Sequence, residues 1–240
     1  MGQRFVADER NEARKEASME EIKREEETWV CFSTVEEDRG TIDELFGCYG
    51  FRDREGRVMI EPQYLSCGEF HCGLCPVALG CTWYRTERGE RYYEMHWGYI
   101  DKTGKVVIPF RFRQAWSFNR YGVAVVRDEY TENAYLIDTN GKPIPDSAFP
   151  DISHYEEYED RYIIISTTPM WDDGTVGLYD TKTRRVLYPP TANDFDVFGE
   201  ERIRVEEPVL DAAGAPIGGR CRVRFINSEG KNLPDDDDAM

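Results

Sequence analysis

The strongest constraint on what this chain can fold into is a short sentence that it repeats: aromatic-Gly-x-Ile-Asp-x-x-Gly-Lys. It stands most completely at Trp97-Gly98-Tyr99-Ile100-Asp101-Lys102-Thr103-Gly104-Lys105. A near copy runs from Tyr49 to Arg57, and worn copies begin at Ala134, Val176 and Val223. Self-similarity at a period of roughly forty residues predicts an array of small supersecondary units rather than one enzyme core.

Each piece of the sentence has a physical task. Asp or Asn followed three residues later by Gly occurs at 53–56, 101–104, 138–141 and 227–230. The Asx side chain bonds backbone amides ahead of it, and Gly accepts the positive φ that closes a tight hairpin. At the fourth copy Thr183 replaces the Gly, which predicts a looser turn. After each hairpin an apolar residue recurs at three-residue steps, as in Tyr64, Cys67 and Phe70, or Phe112, Ala115 and Phe118. This spacing predicts a compact, partly 3₁₀-like crossover. A β-branched run then predicts the unit's third strand, at Val123-Ala124-Val125-Val126 and its equivalents. Trp29 to Thr34 reads as a further third strand that would pair with the strand around Tyr49 and protect the array's leading edge.

Taken together, these residues resemble the WG-repeat family, also called KWG repeats. The resemblance covers about residues 48 to 231 and is strongest from Tyr49 to Val126. It implies an all-β fold of tandem β-hairpin or three-stranded meander repeats, arranged as a solenoid or a propeller-like array. It also implies a bacterial protein-interaction module, and it carries no catalytic residues. Ala134-Tyr135 and Val223-Arg224 depart from the signature dipeptide. The expected organisation is a charged N-terminal helix over 1–28 and an array over 29–231. Its units lie near 49–80, 97–130, 134–168, 176–207 and 223–231, and an acidic disordered tail occupies 232–240.

Charge narrows the partners. With 47 acidic and 30 basic side chains the formal charge is −17, which repels nucleic-acid phosphates and anionic lipid surfaces and favours a basic protein partner. The acid is clumped around Glu156, Glu157, Glu159 and Asp160, and again in a tail from Asp235 to Asp238. The bland reading is a solvated face and a disordered end. The sharper one is a docking face for a basic protein such as a toxin, with this chain as its inhibitor. An insertion at 80–96 carries Trp83, Tyr84, Tyr92 and Tyr93 and predicts a long hairpin extension, the better candidate for a binding face. Residues 207–220 read as a flexible connector. No signal-peptide apolar stretch follows Met1, so a cytoplasmic location is expected.

Cys67, His71, Cys72, Cys75 and Cys81 make a weak zinc candidate, since thiolate and imidazole suit a tetrahedral ion. Against it, Cys67 takes the slot of Ala115 and Cys75 that of Ala124, both small core positions. No metal or other cofactor is therefore expected, and with seven cysteines no disulfide framework. Three scattered histidines and no phosphate loop predict no enzyme. Trp97 and Trp116 fall at signature positions that fill the core, whereas Trp83 and Trp171 lie outside it and are free to stack on sugars, a glycan-binding alternative.

Overall fold

The structure is a computed structural model that describes residues 29–33, 48–85, 88–89, 91–128, 133–149, 151–153, 161–166, 168, 174–198 and 201–234. The helix expected over 1–28 lies outside these residues. Among the described residues the fold is all-β, built of several small antiparallel sheets. The chain divides into two units: one of residues 1–129 with 137–142, the other of 130–136 with 143–240.

In the first unit, β1 (Val30–Ser33), β2 (Tyr49–Arg52) and β3 (Val58–Tyr64) form one sheet in that order. Cys31 stands opposite Phe51, so the Trp29–Thr34 segment pairs where the sequence places it. A second sheet runs through β4 (Ser66–Cys67), β5 (Leu74–Arg85), β6 (Arg91–Asp101), β7 (Val106–Ala115) and β8 (Val123–Asp128). Next in order is β9 (Ala134–Asp138), whose residues the two units divide. The second unit holds a sheet of β10 (Asp151–Ser153), β11 (Tyr162–Ser166), β12 (Val176–Asp180) and β13 (Arg185–Ala192). It also holds one of β14 (Asp194–Val197), β15 (Ile203–Leu210) and β16 (Pro216–Ile226). The sheets are staggered against the repeats: the third strand of one repeat pairs with the hairpin of the next, as β5 does with β6, the first strand of the β6–β7 hairpin.

The turns behave as Asx chemistry dictates. Asp101 Oδ1 accepts from the amides of Thr103 and Lys105 at 2.8 and 3.1 Å, and Gly104 N donates to Asp101 O at 2.9 Å. Asp138 and Asn227 do the same. So do Asn119–Gly122 and Asp211–Gly214, two copies the sequence reading passed over. The last closes the β15–β16 hairpin, so residues 207–220 are paired strands about a tight turn and not a flexible connector. At the fourth copy the turn is one residue longer, with the positive φ (55°) at Arg184, because Thr183 cannot take the glycine's role at no cost.

The signature glycine is fixed by a close approach. A Cβ on Gly98 would stand 2.7 Å from Ile108 O and 2.9 Å from Phe110 N; at Gly50 the nearest atom would be Ile60 O at 2.5 Å, and at Gly177 Tyr188 O and Pro190 N, each at 2.7 Å. The ladder shows why. Trp97 pairs with Phe112 but Tyr99 with Ile108, so the second strand bulges across the glycine, and the same shift recurs at Tyr49/Phe51 and Val176/Leu178.

The expected 3₁₀ crossover is instead an extended corner. β3 ends at Tyr64 on one sheet and β4 starts at Ser66 on the next, while β7 runs extended through Phe112 to Ala115 within one sheet, so the three-residue apolar step arises without helical geometry. Substituting Gly98→Ala is expected to lower the unfolding free energy by about 1–3 kcal/mol through overpacking. Gly56→Ala, whose Cβ meets nothing within 4 Å, serves as the control for the φ cost alone in urea titrations.

Candidate functional site

The core of the first sheet pair sets where its cysteines go. Phe51, Ile60, Tyr64, Phe70, Cys75, Val77 and Ile100 pack together, with Trp29, Cys31 and Cys67 against them. Phe70 meets Trp29 and Phe51 edge-on, at 5.6 and 5.0 Å between centroids. Cys31 from the leading strand and Cys67 from β4 face each other over this cluster and are joined in a disulfide, with Cα atoms 6.7 Å apart. This bridge departs from the expectation of no disulfide: Cys31 and Cys67 belong to different repeats, and only the stagger of the sheets brings them together.

The disulfide removes Cys67 from the zinc candidate, and the other members are separately engaged. Cys75 is fully buried, its thiol pushed up by burial and directed at Gly68 O. Cys72 Sγ donates to Asn119 O at 3.2 Å, and His71 Nε2 lies 3.3 Å from Glu69 Oε2. For Cys81 only the backbone is described, in β5. Among the described residues no three such side chains converge as a metal site would need. Denatured, unreduced protein should accordingly titrate two fewer thiols than its seven cysteines; a full count of seven by a thiol-reactive dye would contradict the bridge.

The insertion at 80–96 is the long hairpin that its sequence predicts, formed by the ends of β5 and β6. Its register sets Trp83 opposite Tyr93 and Tyr84 opposite Tyr92. Arg113 on β7 anchors the base of the hairpin by an ion pair to Glu94 at 2.9 Å. Trp97 and Trp116 are half-buried, and the signature's buried aromatic is Tyr99, whose hydroxyl donates to Trp116 O at 2.8 Å. Trp171, Glu156, Glu157, Glu159 and Asp160 lie outside the described residues.

A surface the sequence reading did not single out emerges from the bulges beside the turns. Arg52 pairs with Val58 and Phe51 with Ile60, so Met59 is the extra residue; Val107 and Leu187 hold the same place in their repeats. The bulge leaves an apolar pair on the outside. Val58, Met59, Val106 and Val107 are 43–47% exposed and Val186 is 40% exposed, while Leu187 packs partly onto the core. In sequence these residues look like strand core, and the only sign of their exposure is the doubled apolar step before Ile60 and Ile108.

The most deeply buried charges are structural. Arg161 Nε and Nη2 donate to the two Asp180 carboxylate oxygens at 3.1 and 3.0 Å, and Thr181 donates twice to Arg161 O. Burial alone would raise the Asp180 carboxyl, but hydrogen bonds from Arg161 and Thr183 hold it below its ordinary value. The folded value lies under the unfolded one, so the pair's contribution is complete above about pH 3.9 and is lost as pH falls through the folded value. Asp180→Asn should cost about 3 kcal/mol at neutral pH, because it strands a buried guanidinium. It should also flatten the acid limb of the stability curve, measured by denaturant titration from neutral pH downward.

The family model described as "WG containing repeat" matches residues 49–83 and 97–130. No curated protein matches the chain. Among solved structures, one described as the crystal structure of the eukaryotic initiation factor is 11% identical with a TM-score of 0.38, over 77% of this chain and 59% of that one. A protein of unknown function from Bacteroides caccae is 11% identical with a TM-score of 0.26, over 77% of this chain and 73% of its own.

Proposed function

We infer, from a chain that carries WG repeats at 49–83 and 97–130, that this protein is a non-enzymatic module whose ligand is another protein. The observation that supports this reading is the apolar bulge pair set outward at the same place in successive repeats, Val58-Met59 and Val106-Val107. Single exposed apolar residues are ordinary on any surface. The same pair raised by the same bulge in both repeats makes a regular pattern that a partner can read. The formal charge of −17 gives a basic partner the faster and more selective approach. The β5–β6 hairpin adds aromatic residues of the kind that anchor interfaces.

The test is capture by tagged protein from lysate of the cells that make it, with Met59→Glu and Val107→Glu beside the parent. Because both side chains are exposed, the variants should keep the parent's thermal unfolding. They should lose captured partner by about tenfold, the effect of weakening one apolar contact by ~1.4 kcal/mol. A partner held equally by parent and both variants would remove the bulge pairs from the interface. Trp83→Ala then asks whether the hairpin carries it, and a wash at high salt reports how much of the affinity is charge.

A further inference from the structure

The Cys31–Cys67 bridge joins two edges. β1 is an outer strand of the first sheet and β4 an outer strand of the second, so one covalent bond links two sheets that share no strand. Both cysteines are half-buried and neither is sealed in the core. The core beneath is complete without β1. Its buried members come from β2, β3, β5 and β6 and from Phe70, whereas Trp29, Cys31 and Cys67 lie against it only partly buried.

The two bridged strands are held unequally by everything else. β1 has its four-residue ladder to β2, the edge-on contact of Trp29 with Phe70, Arg52 over the Phe32 ring at 5.4 Å and Lys102 over the Trp29 ring at 5.7 Å. β4 is paired to β5 and clasped at both ends, with Leu65 N donating to Ala78 O and Gly68 N to Pro76 O, each at 2.9 Å. A short edge strand with a half-buried face is the weaker of the two, so β1 is the strand that gives way. The free thiol in the same cluster does not compete for the bridge. Cys75 is fully buried, burial keeps it protonated, and its S–H is directed at Gly68 O. A protonated thiol does not attack a disulfide, and opening falls to an outside reductant.

We propose that Cys31–Cys67 is a redox latch on the leading strand: a dithiol reductant opens the bridge, β1 leaves β2, and the rest of the unit stays folded. In the exchange a thiolate of the reductant attacks one bridge sulfur and expels the other as a thiolate. The reductant's second thiol then displaces the mixed disulfide. The bridge takes up two electrons and two protons and ends as two thiols, and the reductant ends as its own disulfide. Release of β1 makes β2 the edge of its sheet, with the backbone groups of Tyr49–Arg52 that had faced β1 left unpaired. Oxidation restores the closed edge.

The test uses the full chain, purified without reductant, beside its Cys31→Ser, Cys67→Ser double variant. Dithiothreitol is added to the folded protein with no denaturant. Alkylation mapped by peptide mass then reports which thiols appear, and amide hydrogen exchange reports which strands loosen. Cys31 and Cys67 are expected to become alkylatable together. Amides of β1 and β2 should exchange at least about 30-fold faster after reduction, the low end of what a cross-link contributes. Amides of β7, in the same unit, should keep their rates. The double variant should show the fast β1 and β2 exchange with or without dithiothreitol. A bridge that resists dithiothreitol until denaturant is added would overturn the proposal, because it would be a sealed staple. Unchanged β1 exchange after reduction would overturn it as well, and so would an acceleration matched in β7, since the bridge would then hold the whole unit.

Discussion

At Gly98 two strands approach so closely that hydrogen is the only side chain that fits, and the repeat's geometry follows from that approach. The second strand takes four steps, from Ile108 to Phe112, where the first takes two, from Tyr99 to Trp97. The surplus has to go somewhere, and it goes into a bulge lying over the glycine. Pro62, Pro109 and Pro190 sit in or beside these bulges, where a missing amide costs the ladder nothing. The aromatic before the glycine and the one after it are thereby set on different layers: Trp97 half-exposed, Tyr99 wholly inside against Phe112 and Phe118.

Stagger carries this local device into longer-range order. Because each hairpin is completed by the third strand of the repeat before it, no repeat is a sheet by itself. The turns reinforce the link. Gly104 packs on Ile60, Gly141 on Ile108 and Gly230 on Leu187, so a turn of one repeat rests on the second strand of another. Arg111 Nη2 ties the second such contact by donating to Gly141 O at 2.8 Å. The Cys31–Cys67 bridge performs a covalent version of the same task at the leading edge, where β1 has only a four-residue ladder to hold it.

Features that rest on local chemistry were legible in the sequence. The Asx turns, the third strands at Val123–Asp128 and Tyr162–Ser166, the pairing of β1 with β2 and the long 80–96 hairpin all follow from side chains acting on their own neighbourhood. Features that depend on register were not. A three-residue apolar step suits a helix or an extended strand that bends, and only pairing decides between them. Cys31 and Cys67 meet because of stagger, which no spacing encodes. The outward Val58-Met59 pair looks like core until the bulge is known. Part of the candidate site, the acid at 156–160 and Trp171, lies outside the described residues, so the surface carrying the functional reading is one that the sequence did not mark.

The degenerate repeats show that fold and surface are coupled. Where the signature glycine becomes Tyr135 or Arg224, no long bulged second strand follows. After the Asp138 turn the chain gives Pro143 and a buried Ile144, and after the Asn227 turn Asn232 and a half-buried Leu233. Without the glycine the close approach is impossible, and without the approach the second strand has no bulge to lay over it. Where the glycine is lost, the long bulged second strand and its outward apolar pair are absent too, while the Asx turn and first strand remain. The first, second and fourth copies keep Gly50, Gly98 and Gly177; the first two present the pair, the fourth exposes Val186 while Leu187 packs partly onto the core, and the third and fifth supply strands that complete neighbouring sheets. A worn repeat in this chain thus keeps its turn and first strand and lends them to the neighbouring sheet, while the glycine marks the units that carry a long, bulged second strand.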